Sequence, residues 1–136
     1  MTVATDANFP QPEPTPLSQP YWDALRAGRL TFQRCSHCGH AWLPARAECP
    51  NCLRAEWAWA DASGEGKLVS WVIYHHAYHE AFKARLPYNV ALVELAEGPR
   101  LITNIVNPEA GLKTERPVTL KIEEDHGVAL ARFALS

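Results

Sequence analysis

The chain has 136 residues, 47% of them hydrophobic and 21% charged, which suits one domain or a small metal module joined to a small barrel. Its 13 Lys and Arg against 15 Asp and Glu leave a formal charge of −2, so no global attraction to nucleic acid or anionic lipid is expected. No apolar run approaches the ~20 residues of a membrane span, and the N-terminus reads as no export signal, which points to the cytoplasm.

Residues 1–17 carry Pro10, Pro12, Pro14 and Pro16 among small and polar residues. Such a stretch buries too little apolar surface to order itself, and a disordered Pro-rich tail is expected. A short helix is predicted over residues 18–29, with Ser18 as N-cap, Pro20 in the first turn and Gly28 at the close. Tyr21, Trp22 and Leu25 share one side of it. A helix this short needs a surface to dock on, either the rest of this chain or another protein.

Strand-like alternation over Leu30–Arg34 runs into Cys35-x₂-Cys38; Ala41–Pro44 is a return strand before Cys49-x₂-Cys52. Glu56–Ala60 then alternates again, with Trp57 and Trp59 on one face. Ten residues separate the two pairs, and the chain has no other cysteine. Each pair has the spacing at which a tight knuckle aims two thiolates at one ion, and two knuckles complete a tetrahedral Cys₄ site. Cys35, Cys38, Cys49 and Cys52 are thus the metal ligands. With four protein ligands no position stays open for water or substrate, so the metal is structural. Zinc is the expected ion, and iron in the rubredoxin manner is the alternative. Disulfides need an oxidising compartment, and a redox CxxC needs a βαβ setting that this segment lacks. Gly39 follows the first pair, where positive φ is common; Leu53 follows the second, which is therefore expected to be less regular. Arg34, His37, His40, Arg46 and Arg54 flank the ligands as potential donors to sulfur or as solvated surface. The whole is a zinc ribbon over residues 30–62.

Ser63-Gly64-Glu65-Gly66 is the junction to a second unit at residues 63–136. Five segments read as strands: Lys67–His76, Tyr88–Ala96, Arg100–Val106, Pro117–Glu124 and Val128–Leu135. Glu97-Gly98-Pro99 and Asp125-His126-Gly127 are hairpin turns, and Asn107–Arg116 is too broken for a good helix. Five strands with a long link between the third and fourth suit a Greek-key barrel of OB type. The predicted class is mainly β: an N-terminal helix, a Cys₄ zinc ribbon, then a five-stranded OB-fold barrel. The loop Ala77–Pro87 is long for a hairpin, as functional loops often are.

The order Tyr21-Trp22-Asp23-Ala24-Leu25, Arg34-Cys35, the two CxxC pairs, Gly64/Gly66, Pro87-Tyr88 and Val93-Glu94-Leu95-Ala96-Glu97-Gly98 resembles the acyl-CoA-associated proteins that join a rubredoxin-like zinc ribbon to an OB-fold barrel. The resemblance spans about residues 18–135. It implies a non-catalytic accessory subunit of a thiolase-fold enzyme, acting in thiolysis, retro-aldol cleavage or acyl transfer on CoA thioesters. It also implies a hetero-oligomer whose barrel helps to hold coenzyme A or to order the partner's active site. Glu115-Arg116-Pro117 departs from relatives, which usually have a glycine before Val118, and Ala45-Arg46 stands where they often read Pro-Arg.

Two other readings compete. His75, His76 and His79 cluster, but neighbours on a strand point to opposite faces, so loop or surface histidines are the simpler reading. The chain shows no G-x-S-x-G, phosphate-binding loop or dinucleotide fingerprint, and no turnover by this chain alone is expected. Single-stranded nucleic-acid binding by an OB barrel would use Trp71, Tyr74, Tyr78, Phe82 and Tyr88 as stacking faces. From Gly64 onward, however, 8 Lys and Arg face 9 Asp and Glu, so the basic groove is missing. Lys83, Arg85 and Arg100 are the cations that coenzyme A phosphates would meet.

Overall fold

The computed structural model describes residues 9–136. Of the tail expected over 1–17, residues 1–8 lie outside the described residues; from Phe9 on, the chain runs along the barrel. Phe9 stacks on His126 at 3.9 Å between ring centroids, and the Gln11 amide donates to the His126 carbonyl at 3.3 Å.

Helix α1 spans Gln19–Arg26. Pro20 sits in its first turn, where a missing N–H costs nothing. Ser18 does not cap it as expected. Its backbone is already helical (φ −88°, ψ −11°), and its hydroxyl accepts the Thr15 N–H at 2.9 Å instead. Eight residues cannot hold a helix unaided, so docking stabilises α1. Ala24 and Leu25 are buried, Leu25 among the barrel core residues, and full burial of one leucine contributes ~1.5–3 kcal/mol. The surface the helix needed is thus supplied within the chain. Tyr21 packs there as well, and burial pushes its hydroxyl pKa up to about 12.

Strands β1 (Thr31–Cys35), β2 (Ala41–Trp42) and β3 (Trp57–Asp61) form an antiparallel sheet in the order β2-β1-β3. Gln33, fully buried on β1, reaches across to the next loop, donating to the Arg46 carbonyl and accepting the Arg46 N–H, both at 2.9 Å.

Strands β4 (Glu65–Tyr74), β5 (Tyr88–Leu95), β6 (Arg100–Thr103), β7 (Pro117–Asp125) and β8 (Val128–Leu135) form the second sheet, ordered β6-β5-β4-β7-β8. The sheet curls until Ile105, just past β6, bridges Phe133 of β8 in parallel, which closes an OB-fold barrel. Strict alternation on β5 buries Asn89, Ala91, Val93 and Leu95. Buried Asn89 satisfies both ends of its amide on Ile105, donating to the carbonyl at 2.9 Å and accepting the N–H at 2.7 Å. Gly66 lets β4 approach β5: a Cβ there would lie 2.6 Å from the Glu94 carbonyl oxygen. Strand β4 ends at Tyr74, two residues short of the expected limit, which leaves His75 and His76 outside it. The Ala77–Pro87 connection holds a 3₁₀ turn at Glu80–Arg85, and the link before β7 holds another at Pro108–Ala110. Glu115 of the departing Glu115-Arg116-Pro117 stretch has φ 71°, and its carboxylate pairs with Lys67 at 3.0 Å.

Candidate metal centre and its surroundings

The two knuckles are near-copies of each other. In the first, Gly39 N–H donates to the Cys35 carbonyl at 3.1 Å and Cys35 N–H to the His40 carbonyl at 2.8 Å. In the second, Leu53 N–H donates to Cys49 and Cys49 N–H to Arg54, both at 2.8 Å. The expectation of a less regular second knuckle is therefore corrected. Leu53 adopts φ 69°, beside 80° for Gly39, and stays 75% exposed, so the turn is kept at a conformational cost rather than lost.

This folding brings together the four predicted ligands. Their sulfurs all lie within 4.8 Å of one another, with Cys35–Cys52 and Cys38–Cys49 each at 3.6 Å. Bonds of ~2.3 Å to a tetrahedral zinc set sulfurs ~3.8 Å apart, so the cage fits that ion. Backbone amides supply the outer shell: His37 and Cys38 N–H groups point at Cys35 Sγ, and those of Asn51 and Cys52 at Cys49 Sγ, at 3.3–3.5 Å. The Asn51 side-chain amide approaches Cys38 Sγ at 3.5 Å. That contact, helped by the His40 amide, lowers the Cys38 thiol to about 6. Cys35 is lowered too, by the Cys38 N–H first. At Cys52 the Arg54 N–H pulls downward, but desolvation and the three neighbouring sulfurs outweigh it and push the thiol up to about 12. Four anions cannot share this volume without a cation, which a divalent ion held by all four would supply.

Two of the five flanking residues brace the first knuckle. Arg34 donates to the Gly39 carbonyl at 2.9 Å, and His40 stacks on Trp42. Asn51, which the sequence reading missed, is the side chain that reaches sulfur; its position inside the second CxxC was the available clue. Trp57 and Trp59 share a face as expected, rings edge to face at 5.8 Å.

Elsewhere, His75, His76 and His79 are exposed. His79 accepts the Ala81 N–H on Nδ1 at 3.0 Å, and His76 meets the Tyr78 ring edge-on. Among the described residues, the four cysteines form the one group of three or more potential metal ligands. Arg85 forms a two-point pair with Asp125 (2.7 and 2.8 Å) at a 460 Å³ cavity in the barrel mouth. Lys83 lies 3.9 Å from Glu80, both exposed, and Arg100 pairs with Glu94 at 2.9 Å. The three cations are not gathered: Lys83 and Arg85 precede β5, whereas Arg100 faces its far end, ~20 Å along the strand.

Family models for the rubredoxin-like zinc ribbon domain of ChsH2 and its C-terminal OB-fold domain match residues 22–58 and 59–123. The chain belongs to the ChsH2 family. Similar proteins include a "DUF35 domain-containing scaffold protein" of Methanocaldococcus jannaschii, 37% identical over 98 residues and 68% of each chain. A "probable enoyl-CoA hydratase alpha subunit" of Thermomonospora curvata is 42% identical over 86 residues, 63% of this chain. This chain spans only 26% of that relative's length. The solved structure described as "Ltp2-ChsH2(DUF35) aldolase" superposes with a TM-score of 0.80 at 35% identity, covering 92% of this chain and 98% of that one. No helix among the described residues is long and apolar enough to cross a membrane.

Proposed function

We propose that this chain is a non-catalytic accessory subunit of a thiolase-fold enzyme that processes acyl-CoA thioesters, in a cytoplasmic hetero-oligomer. The observation that carries the reading is the match of both units, in order, to a family whose solved relative is described as "Ltp2-ChsH2(DUF35) aldolase", at 98% coverage of that relative's chain. The metal centre supports a structural role, because four thiolates close the coordination sphere and leave no site for a substrate. Zinc holds the ribbon, and coenzyme A binds in the complex rather than to this chain alone. Lys83, Arg85 and Arg100 are its proposed contacts, with Arg85 at the barrel-mouth cavity the best placed. An oligonucleotide would need a basic groove, and from Gly64 onward 8 Lys and Arg stand against 9 Asp and Glu.

The test is affinity purification of the tagged full chain from its source cell, with bound material assayed for protein, nucleic acid and acyl-CoA cleavage. A thiolase-fold subunit should be recovered, and cleavage should need both chains. Turnover by the purified chain alone, or salt-sensitive oligonucleotide binding with no protein partner, overturns the reading.

A further inference from the structure

The outward face of β4, β5 and β6 breaks the rule that a solvated antiparallel face is polar. On β5 the outward row includes Val90 and Leu92; the pairing register sets Val72 of β4 beside Val90, and Ile102 of β6 beside Leu92. Val72 is 52% exposed and Ile102 70%, so the ladder forms an apolar ridge in solvent. Alongside it runs a half-enclosed groove of about 580 Å³, between Leu92 and Ile102 on one wall and Trp22 of α1 with Pro44 of the ribbon on the other. The groove thus joins all three parts of the chain, the helix, the ribbon and the barrel.

Charge narrows the occupant. The cations that border this face, Lys67 and Arg100, are both tied to acids: Arg100 to Glu94 at 2.9 Å, and Lys67 to Glu115 at 3.0 Å. The ridge therefore offers an uncharged centre beside a neutralised polar border, the anatomy of a protein–protein contact. Strands two and three of an OB barrel are its usual ligand face, and here β5 and β6 carry aliphatic side chains rather than a basic stacking platform. Burying the centre strands no charge, and the groove accepts one or two large apolar side chains.

We propose that this ridge and groove form the docking surface for the thiolase-fold partner, which inserts an apolar segment against Ile102 and between Trp22 and Pro44. The proposal rests on the accessory-subunit reading and adds where the partner sits.

The thiolase-fold protein recovered in the purification above, produced recombinantly, is titrated against the full zinc-loaded chain by calorimetry. Ile102→Asp and Val72→Asp should each weaken binding about tenfold or more, because they bury a charge at the contact. Ile102→Leu, and Lys121→Asp on the outer face of β7, should stay within about twofold of the parent. Unchanged zinc content and thermal midpoint verify that the exposed-site variants fold. If the parent binds and both Asp variants bind equally well, this surface is wrong while the accessory role stands. If the parent binds no thiolase-fold protein, both fall. A concentration-dependent self-dimer that Ile102→Asp dissolves assigns the face to a second copy. Loss of acyl-CoA affinity with partner binding intact assigns the groove to the ligand, and either result overturns the proposal.

Discussion

The ribbon and the barrel solve the same problem with different means. The buried cluster at the knuckles of the ribbon joins Cys35, Trp42 and Cys49, two of them predicted metal ligands, with Phe32 and Gln33 buried beside it on β1. The barrel core joins ten buried residues from seven segments, among them Leu25 of the helix and Leu30 from just before β1. A core as small as the ribbon's cannot offset the entropy of ordering its loops, so a metal must. The barrel pays for its order with apolar burial and a closed hydrogen-bond network. Order in one half is therefore expected to be conditional on an ion, and in the other on packing.

That contrast can be broken in four places. Removing zinc with a strong chelator, or replacing Cys49 with Ser, should forfeit most of the ~10–16 kcal/mol that structural zinc contributes in small domains. Metal analysis should fall from one equivalent, and near-ultraviolet dichroism of Trp42 and Trp57 should flatten. Phe133→Ala should cost the barrel about 3–5 kcal/mol, since that ring is wholly buried, yet leave zinc bound; denaturant unfolding with metal analysis checks both.

The third test concerns acid. A hydrogen bond from Arg85, aided by Arg132, holds the Asp125 carboxyl well below the usual carboxylate range. A depressed folded pKa stabilises above the unfolded value near 3.9, and the contribution drains away as pH falls through the folded pKa. Asp125→Asn should thus cost about 1.5–3 kcal/mol at pH 7, typical of hydrogen bonds to a charged group. The gap between variant and parent in thermal unfolding should narrow below about pH 4. The smallest effect has the opposite sign. Leu53→Gly relieves a positive φ at an exposed site and should stabilise the zinc-bound ribbon by about 1 kcal/mol or less, read as slower metal release to a chelator.

Local pattern made much of this legible. Cysteine spacing revealed the metal cage, and alternation revealed the strands, with β8 over Val128–Leu135 matching to the residue. What stayed hidden depends on contacts that residue pattern alone does not encode. Ser18 looks like a cap, but Thr15 takes its hydroxyl. Leu53 looks unsuited to a knuckle, yet the hydrogen bonds around Cys49 hold it at positive φ. Phe9, in a proline-rich stretch, finds His126 and the Arg85 guanidinium, the latter 4.5 Å from its ring. The docking of α1 on its own barrel was one of two options, because a short aromatic helix does not encode what covers it. The apolar ridge was likewise invisible, since Val72, Val90 and Ile102 look like core until the register shows which face they occupy.

Hydrogen exchange on the intact chain, before and after chelation, tests the division most directly. On metal removal the amides of Cys35, Gly39, Cys49 and Leu53 should lose protection, while those of β5 and β8 keep it. Loss of protection throughout, or retention throughout, would contradict the account of a metal-held ribbon on a packing-held barrel.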